Sequence, residues 1–179
     1  SRTNPFPQPI SEQIWEEKYR LITQNPDTRD DESVQDTWQR IADACALAVP
    51  ERYGVDEVYP NTPEEIQNRR YEFYDALENF KFLPAGRITA GAGSGRNVTL
   101  FNCFVMGTIP DSMAGIFDNL KDAALTMQQG GGIGYDFSTL RPKGSPVEGV
   151  DADASGPLTF MDVWDSMCRT IMSAGSRRG

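Results

Sequence analysis

The fold is decided by the segment Phe101-Asn102-Cys103-Phe104-Val105-Met106-Gly107-Thr108-Ile109-Pro110-Asp111-Ser112. Residues 98–106 are largely apolar and contain one cysteine, Cys103, which indicates a β-strand. The end of the segment then begins a helix, whose apolar residues keep helical register until the glycine run 130–132. A second strand is predicted after that run, over residues 133–139. The order strand, helix, strand indicates the start of an α/β barrel or sheet, and two strands cannot close a barrel.

The chain on either side of this segment is predicted to be mostly helical. Proline residues in the first nine positions indicate an extended arm. The predicted helices run from Ile10 to about Thr23, from about Asp31 to Val49, from a capping box at Thr62 and Glu65 onward, and from Gly156-Pro157 onward. Glycine and alanine accumulate over residues 86–95, which predicts a close-packed loop. The sequence therefore predicts a helical N-terminal domain over residues 1–97 and an α/β domain over 98–179.

The composition excludes several classes of protein. The net charge of -9 argues against a nucleic-acid polymer as partner, since that binding depends on neutralising phosphates. No apolar run approaches the roughly 18 residues of a membrane span. With no histidine and three cysteines outside CxxC spacing, neither a metal site nor a Ser-His or Cys-His nucleophile pair is expected. We expect a soluble cytoplasmic protein with reduced thiols.

Cys103 is the strongest candidate for a functional thiol. Cys45 and Cys168 lie among apolar helical positions, where a free cysteine packs as a small hydrophobe. Cys103 taken alone also suits a core position. It differs because glycine-rich loops flank its strand on both sides, and a ligand can approach there.

The polar residues near the second half of the chain allow two interpretations each. Asp111 suits a helix N-cap or a ligand contact, with Ser112 as the competing cap. Arg141 and Lys143 suit solvated surface charges or a phosphate grip from a rigid turn. The glycine runs at 91–96 and 130–134 match neither GxGxxG nor GK[ST], so they are weak evidence for a nicotinamide or ATP site.

Taken together, several segments resemble the adenosylcobalamin-dependent (class II) ribonucleoside-diphosphate reductases. They are residues 82–88, the cysteine strand, and residues 128–137, 154–157 and 172–179. The resemblance covers nearly the whole chain. It implies an all-helical N-terminal domain followed by the first strands and helices of a ten-stranded α/β barrel, incomplete here.

The resemblance also implies a reaction and a substrate site. Adenosylcobalamin would generate a thiyl radical on another cysteine, and a cysteine pair would then reduce a ribonucleoside diphosphate and become a disulfide. Cys103 matches one member of that pair. Asn102 and Cys103 would line the substrate, and Ala85 and Gly132 would approach it through their backbone. A thioredoxin-type reductant would restore the thiols.

The same resemblance implies an allosteric site for a deoxynucleoside triphosphate at a homodimer interface. Asp111, Ser112 and Met113 would contact the sugar and base of this effector, and Arg141 with Lys143 its phosphates. The helices that follow Ser112 and Pro157 would pack across the dimer. Relatives often carry a cation near position 148, where this chain has Glu148, so that phosphate contact is in doubt.

The resemblance implies that essential parts lie elsewhere. The radical cysteine, the second reductant cysteine and most of the cobalamin surface would follow Gly179, which would fall within a loop. This chain is therefore expected to be inactive alone and to need the downstream part of the enzyme. An ATP-binding cone is absent or lies upstream. Two alternatives stay open: a class I reductase, which takes its radical from an iron subunit, and a non-catalytic helical module that binds nucleotides or a partner.

Overall fold

A computed structural model describes residues 4–48 and 62–173 of the 179-residue chain. The chain divides into two compact units between Leu100 and Phe101. The predicted domain boundary between residues 97 and 98 lies close to this division. Expectations for the first three residues, for the end of the second helix at Val49 and for the loop 174–179 lie outside the described residues. None of the helices in the described ranges is both long and apolar enough to cross a membrane.

The first unit is helical. Its helices are α1 (Pro9–Lys18), α2 (Val34–Leu47), α3 (Pro63–Leu77) and α4 (Gly86–Gly91), with a 3-10 turn at Glu78–Phe80. The predicted capping box before α3 is confirmed, because the Glu65 N–H donates to Thr62 Oγ1 and the Glu65 carboxylate accepts from the Thr62 N–H. The core contains Trp15, Val34, Trp38, Ile41, Ala42, Leu77 and Ala92. Burial of these apolar side chains holds the helices together.

Three predictions for the first unit need correction. Helix α1 ends at Lys18 rather than Thr23, because the Leu21 N–H donates to the Asp31 carboxylate instead of to a helical carbonyl. Helix α2 begins at Val34 rather than at Asp31, since Ser33 forms its capping box. The predicted loop over residues 86–95 contains the short helix α4.

The second unit contains β1 (Cys103–Thr108), α5 (Met113–Gln128), β2 (Gly132–Asp136) and α6 (Pro157–Ser173). The two strands are parallel and pair Cys103 with Gly132 and Thr108 with Asp136, with an irregularity between Val105 and Thr108. The core contains Ile109, Ile116, Ala123, Leu140 and Trp164. A helical unit followed by a parallel strand–helix–strand unit agrees with the predicted fold class.

Both strands are shorter than the sequence predicted. β1 begins at Cys103 rather than near residue 98, because its backbone pairing with β2 begins there. β2 ends at Asp136 rather than at residue 139, because the Ser138 N–H donates to Asp136 Oδ1 and turns the chain.

Candidate functional site

Cys103 stands at the start of β1, directly opposite Gly132 on β2. The Gly132 N–H donates to the Asn102 carbonyl at 2.8 Å, which fixes the two strands together here. A Cβ atom at position 132 would lie 3.3 Å from Cys103 Sγ and 3.3 Å from the Asn102 oxygen. Glycine therefore leaves open the space in front of the thiol.

The thiol of Cys103 is on the exposed face of β1. It is free and exposed, and the side chains two residues away on either side, Phe101 and Val105, are 73% and 95% exposed. Phe104, on the other face, is half-buried. This agrees with the predicted alternation of the strand. A reacting group can approach Cys103 from that face.

The other two cysteines have a different environment. Cys45 and Cys168 are half-buried free thiols. Burial raises the pKa of the Cys45 thiol. Burial, followed by the charge of Asp165, raises the pKa of Cys168, whose Sγ lies 3.4 Å from Met127 Sδ. A raised pKa disfavours the reactive thiolate form of both residues, in agreement with a packing role.

The candidate effector residues lie at the opposite end of the two strands. Ser112 caps α5, since the Gly115 N–H donates to its Oγ at 3.1 Å. Of the two candidate caps, the structure therefore assigns Ser112 and not Asp111. Met113 is the first residue of α5 and is 63% exposed.

Asp111 is instead bound by Arg141. The Arg141 Nε–H donates to Asp111 Oδ2 at 2.9 Å, and the Arg141 backbone N–H donates to Oδ1 at 3.3 Å. The two remaining guanidinium nitrogens donate to the carbonyls of Pro146 and Asp111, each at a distance of 3.3 Å. Both side chains are about one-third exposed, at 36% and 35%. Lys143 is exposed and has no ion pair within the described part of the chain.

Thr139 also holds this end together, although no sequence motif indicated a role for it. Its Oγ1–H donates to the Ile109 carbonyl at 2.7 Å, so the loops that follow β1 and β2 are joined twice. Ligands bind preferentially at the carboxyl ends of parallel strands. That topological rule, applied to the last residue of the strand predicted over 133–139, would have pointed to Thr139.

Ala85 lies in the helical unit, at the start of α4. It is exposed, and its carbonyl accepts from the N–H groups of Ile88 and Thr89. The buried pair Asp31 and Arg40 next to α4 was also missed. The sequence pattern that could have indicated this pair is the spacing of Thr37 and Arg40, which are three residues apart beside the apolar stripe of α2.

Two family models account for almost the whole chain. Residues 5–97 match the all-alpha domain of ribonucleotide reductase, and residues 101–179 match its barrel domain. The chain belongs to the ribonucleotide reductase family. The family resemblance drawn from its motifs is thereby confirmed.

Curated relatives of this chain carry two kinds of name. The vitamin B12-dependent ribonucleoside-diphosphate reductase of Mycobacterium tuberculosis is 33% identical over 162 residues, which cover 89% of this chain and 22% of the relative. A protein of the same name from Thermoplasma acidophilum is 37% identical over 107 residues, covering 60% and 14%. The ribonucleoside-diphosphate reductase subunit alpha of Helicobacter pylori is 33% identical over 116 residues, covering 65% and 14%. The chain thus spans about a fifth or less of the length of these relatives.

Proposed function

We propose that this chain forms part of an adenosylcobalamin-dependent ribonucleoside-diphosphate reductase in which Cys103 is one of the two reducing thiols. The observation that carries the proposal is the exposed Cys103 thiol at the start of β1, with only the hydrogen of Gly132 opposite it. The names of the Mycobacterium and Thermoplasma relatives favour the cobalamin type.

The proposed role of Cys103 is to supply part of a two-electron reduction. Two thiols become one disulfide and give up two hydrogen atoms. One hydrogen atom replaces the 2′-hydroxyl of the ribose, and the other leaves with that hydroxyl as water. A thioredoxin-type reductant then reduces the disulfide by thiol exchange. The thiyl radical that starts the reaction would form on a different cysteine.

The substrate would lie against the amino ends of β1 and β2. Gly132 would allow the ribose to approach the backbone, and Asn102 would offer its exposed side-chain amide. The backbone role that the resemblance implies for Ala85 stays a prediction. A thiol on a rigid strand is held in place without a large side chain in front of it, as a reductant requires.

A deoxynucleoside triphosphate effector would bind at the carboxyl ends of the strands, in a homodimer. Asp111, Ser112 and Met113 would contact its sugar and base, and Arg141 with Lys143 its phosphates. Arg141 already binds Asp111 through Nε, so its two long contacts to carbonyls are the ones that phosphate oxygens would replace. Lys143 would add a second cation.

We assign no residue of the described chain to adenosylcobalamin, which supplies the radical when bound. The cavity of about 260 Å³ in the helical unit is lined mainly by small apolar residues and is too small for a corrin. This cavity therefore does not fit the cofactor, and we derive no step through it.

Reconstitution of the complete enzyme tests the proposal. The complete enzyme containing this chain would receive a ribonucleoside diphosphate, a dithiol and either adenosylcobalamin or an iron-containing partner subunit, and deoxynucleotide formation would be measured. Product that depends on adenosylcobalamin is the expected result. Product only with the iron subunit would assign the chain to class I, a possibility that the Helicobacter relative keeps open. No product under either condition would contradict the proposal.

A further inference from the structure

Strand β1 uses one residue more than β2 between two paired positions. Val105 pairs with Gly134 and Thr108 pairs with Asp136, so three steps along β1 correspond to two steps along β2. An extra residue of this kind is a β-bulge, which bends its strand and changes the direction of the side chains that follow. The bulge lies between the thiol end and the carboxyl end of the strand pair, and neither proposed site accounts for it.

Gly107 provides the backbone conformation of this bulge. Its φ is 86°, in the left-handed region that glycine adopts without steric cost. A Cβ added at this position would have no atom within 4 Å other than those of its two neighbours in the chain. Glycine is therefore needed here for its backbone conformation and not for space. A substitution at Gly107 strains the bulge and creates no clash.

The bulge determines where the residues after it meet the loop that follows β2. Ile109 is fully buried, and its carbonyl accepts from Thr139 Oγ1 at 2.7 Å. Two residues later, Asp111 accepts from Arg141 Nε at 2.9 Å. Without the extra residue, Thr108 would occupy the buried position of Ile109, because one residue along a strand is a shift of about 3.3 Å and a change of face. The pairing of Asp111 with Arg141 depends on this register.

The pairing before the bulge is regular. Residues 103–105 of β1 pair in order with residues 132–134 of β2, without a shift. The Gly132 N–H also binds the Asn102 carbonyl, so this end of the pair has its own hydrogen bond. A change in the bulge therefore alters the carboxyl ends of the strands and leaves the alignment of Cys103 with Gly132 in place.

On the basis of the proposed function, we infer that Gly107 is a positioning residue for the effector. Its bulge sets the register that brings Asp111 to Arg141, and it does so without contact between Gly107 and the effector. The proposed effector site uses Arg141 as Asp111 holds it. Loss of the bulge therefore weakens the binding of a deoxynucleoside triphosphate.

The test is Gly107→Ala in the complete enzyme containing this chain. Alanine is strained at this φ, so the variant relaxes by loosening the bulge, and effector binding must restore it. We expect the dissociation constant of the deoxynucleoside triphosphate to rise at least about fivefold, the low end of the cost of such strain. Gly107→Asn should bind the effector more tightly than Gly107→Ala but less tightly than the unmodified enzyme, because asparagine tolerates a positive φ better than alanine does. Equilibrium binding measures both variants, and the asparagine variant carries the test if the alanine variant does not fold.

Gly149→Ala is the matched control. Gly149 has a φ of 77° and, like Gly107, open space around an added Cβ. It lies in the same unit but outside both strands. The substitution therefore imposes a similar backbone strain without changing the register of β1. It should leave the dissociation constant of the effector within about twofold, as a surface substitution does.

A double-mutant cycle with Asp111→Asn tests whether Gly107 acts through the ion pair. Asp111→Asn removes the charge that holds Arg141, so in that background Gly107→Ala should weaken effector binding by less than about twofold. The same cycle, measured on the free energy of unfolding, should show the coupling of the two positions without any effector.

Three results would overturn the inference. One is an unchanged dissociation constant in the folded Gly107 variants, the second is an equal rise in Gly149→Ala, and the third is an effect of Gly107→Ala that is the same with and without Asp111→Asn. If the unmodified enzyme binds no deoxynucleoside triphosphate, the proposed effector site is wrong. The unfolding cycle then still decides whether the bulge positions Asp111 for Arg141, so the two failures are distinguishable.

Discussion

The two ends of the β1–β2 pair are held together by different means. At the amino ends, the contact between Asn102 and Gly132 is a backbone hydrogen bond of 2.8 Å, and the exposed thiol of Cys103 lies beside it. At the carboxyl ends, side chains join the loops, through Thr139 to the Ile109 carbonyl and through Arg141 to Asp111. A backbone contact is fixed by the strand pairing itself, whereas an ion pair that is about one-third exposed can exchange its partners. The difference suits a reacting thiol at one end and a reversibly bound effector at the other.

Cys103→Ser should produce the largest effect. Serine is close to cysteine in size but cannot form the disulfide, so we expect turnover to fall by at least about a thousandfold, the scale of losing an essential reacting group. Because Cys103 is exposed, the free energy of unfolding should change by less than about 0.5 kcal/mol. Steady-state kinetics and thermal unfolding measure the two quantities.

Cys168→Ser is the control for that substitution. Cys168 is half-buried beside Met127, so serine there should lower stability and leave turnover intact. Full activity of Cys103→Ser would show that Cys103 is not a reductant and would remove the proposed difference between the two ends of the strands.

Gly132→Ala tests the space in front of the thiol. The added Cβ would lie 3.3 Å from Cys103 Sγ, a contact that requires a shift of a few tenths of an ångström. Displacement of a reacting group on this scale should lower kcat/KM by roughly ten- to a hundredfold. Gly134→Ala is the matched control on the same strand, because the nearest atom to its added Cβ would be the Phe104 oxygen at 3.9 Å. Equal activities of the two variants would contradict the proposed close approach of the ribose.

The sequence predicted the start of α3 because capping is local chemistry. Thr62 and Glu65 are three residues apart, and both halves of their capping box form as expected. The strand limits were less predictable, since a strand ends where its partner ends. The pairing of Cys103 with Gly132 joins residues that α5 separates in the chain, and no local pattern sets its first residue.

The candidate site, like the strands, was only partly predictable from the sequence. The cysteine and the glycine run could be recognised from residue type, and the structure places Cys103 and Gly132 opposite each other. The pairing of Asp111 with Arg141 could not be recognised from the sequence, because the two residues are 30 positions apart in loops without periodicity. Their roles toward an effector stay predictions.

Asp111→Asn tests the carboxyl ends of β1 and β2, where side chains join the two loops. The amide keeps the size of the side chain and loses the charge that attracts Arg141 at 2.9 Å. We expect the effector dissociation constant to rise about tenfold, the scale of one charge-assisted hydrogen bond. Stability should fall by no more than about 1 kcal/mol, since both side chains are about one-third exposed. Equilibrium binding of deoxynucleoside triphosphates measures the first quantity.

The matched control for Asp111→Asn is Asp118→Asn. Asp118 is an exposed carboxylate on α5, the same helix that follows Asp111 in the chain. Asp118→Asn removes the same negative charge as Asp111→Asn. It should leave effector affinity unchanged. If both variants weaken effector binding equally, the Asp111–Arg141 pair is not responsible for the loss.

Ser112→Ala should have the smallest effect, and its effect should be on stability. The Ser112 hydroxyl accepts from the Gly115 N–H at 3.1 Å, and loss of such a cap costs about 1 kcal/mol. Ser112→Asp can accept the same hydrogen bond and should preserve stability, but its charge beside Asp111 should repel effector phosphates. If Ser112 acts as a cap alone, alanine will lower the unfolding temperature and aspartate will change nothing. If Ser112 also contacts an effector, the aspartate variant will keep its stability and lose effector affinity. The two variants thus separate the capping role of Ser112 from its binding role.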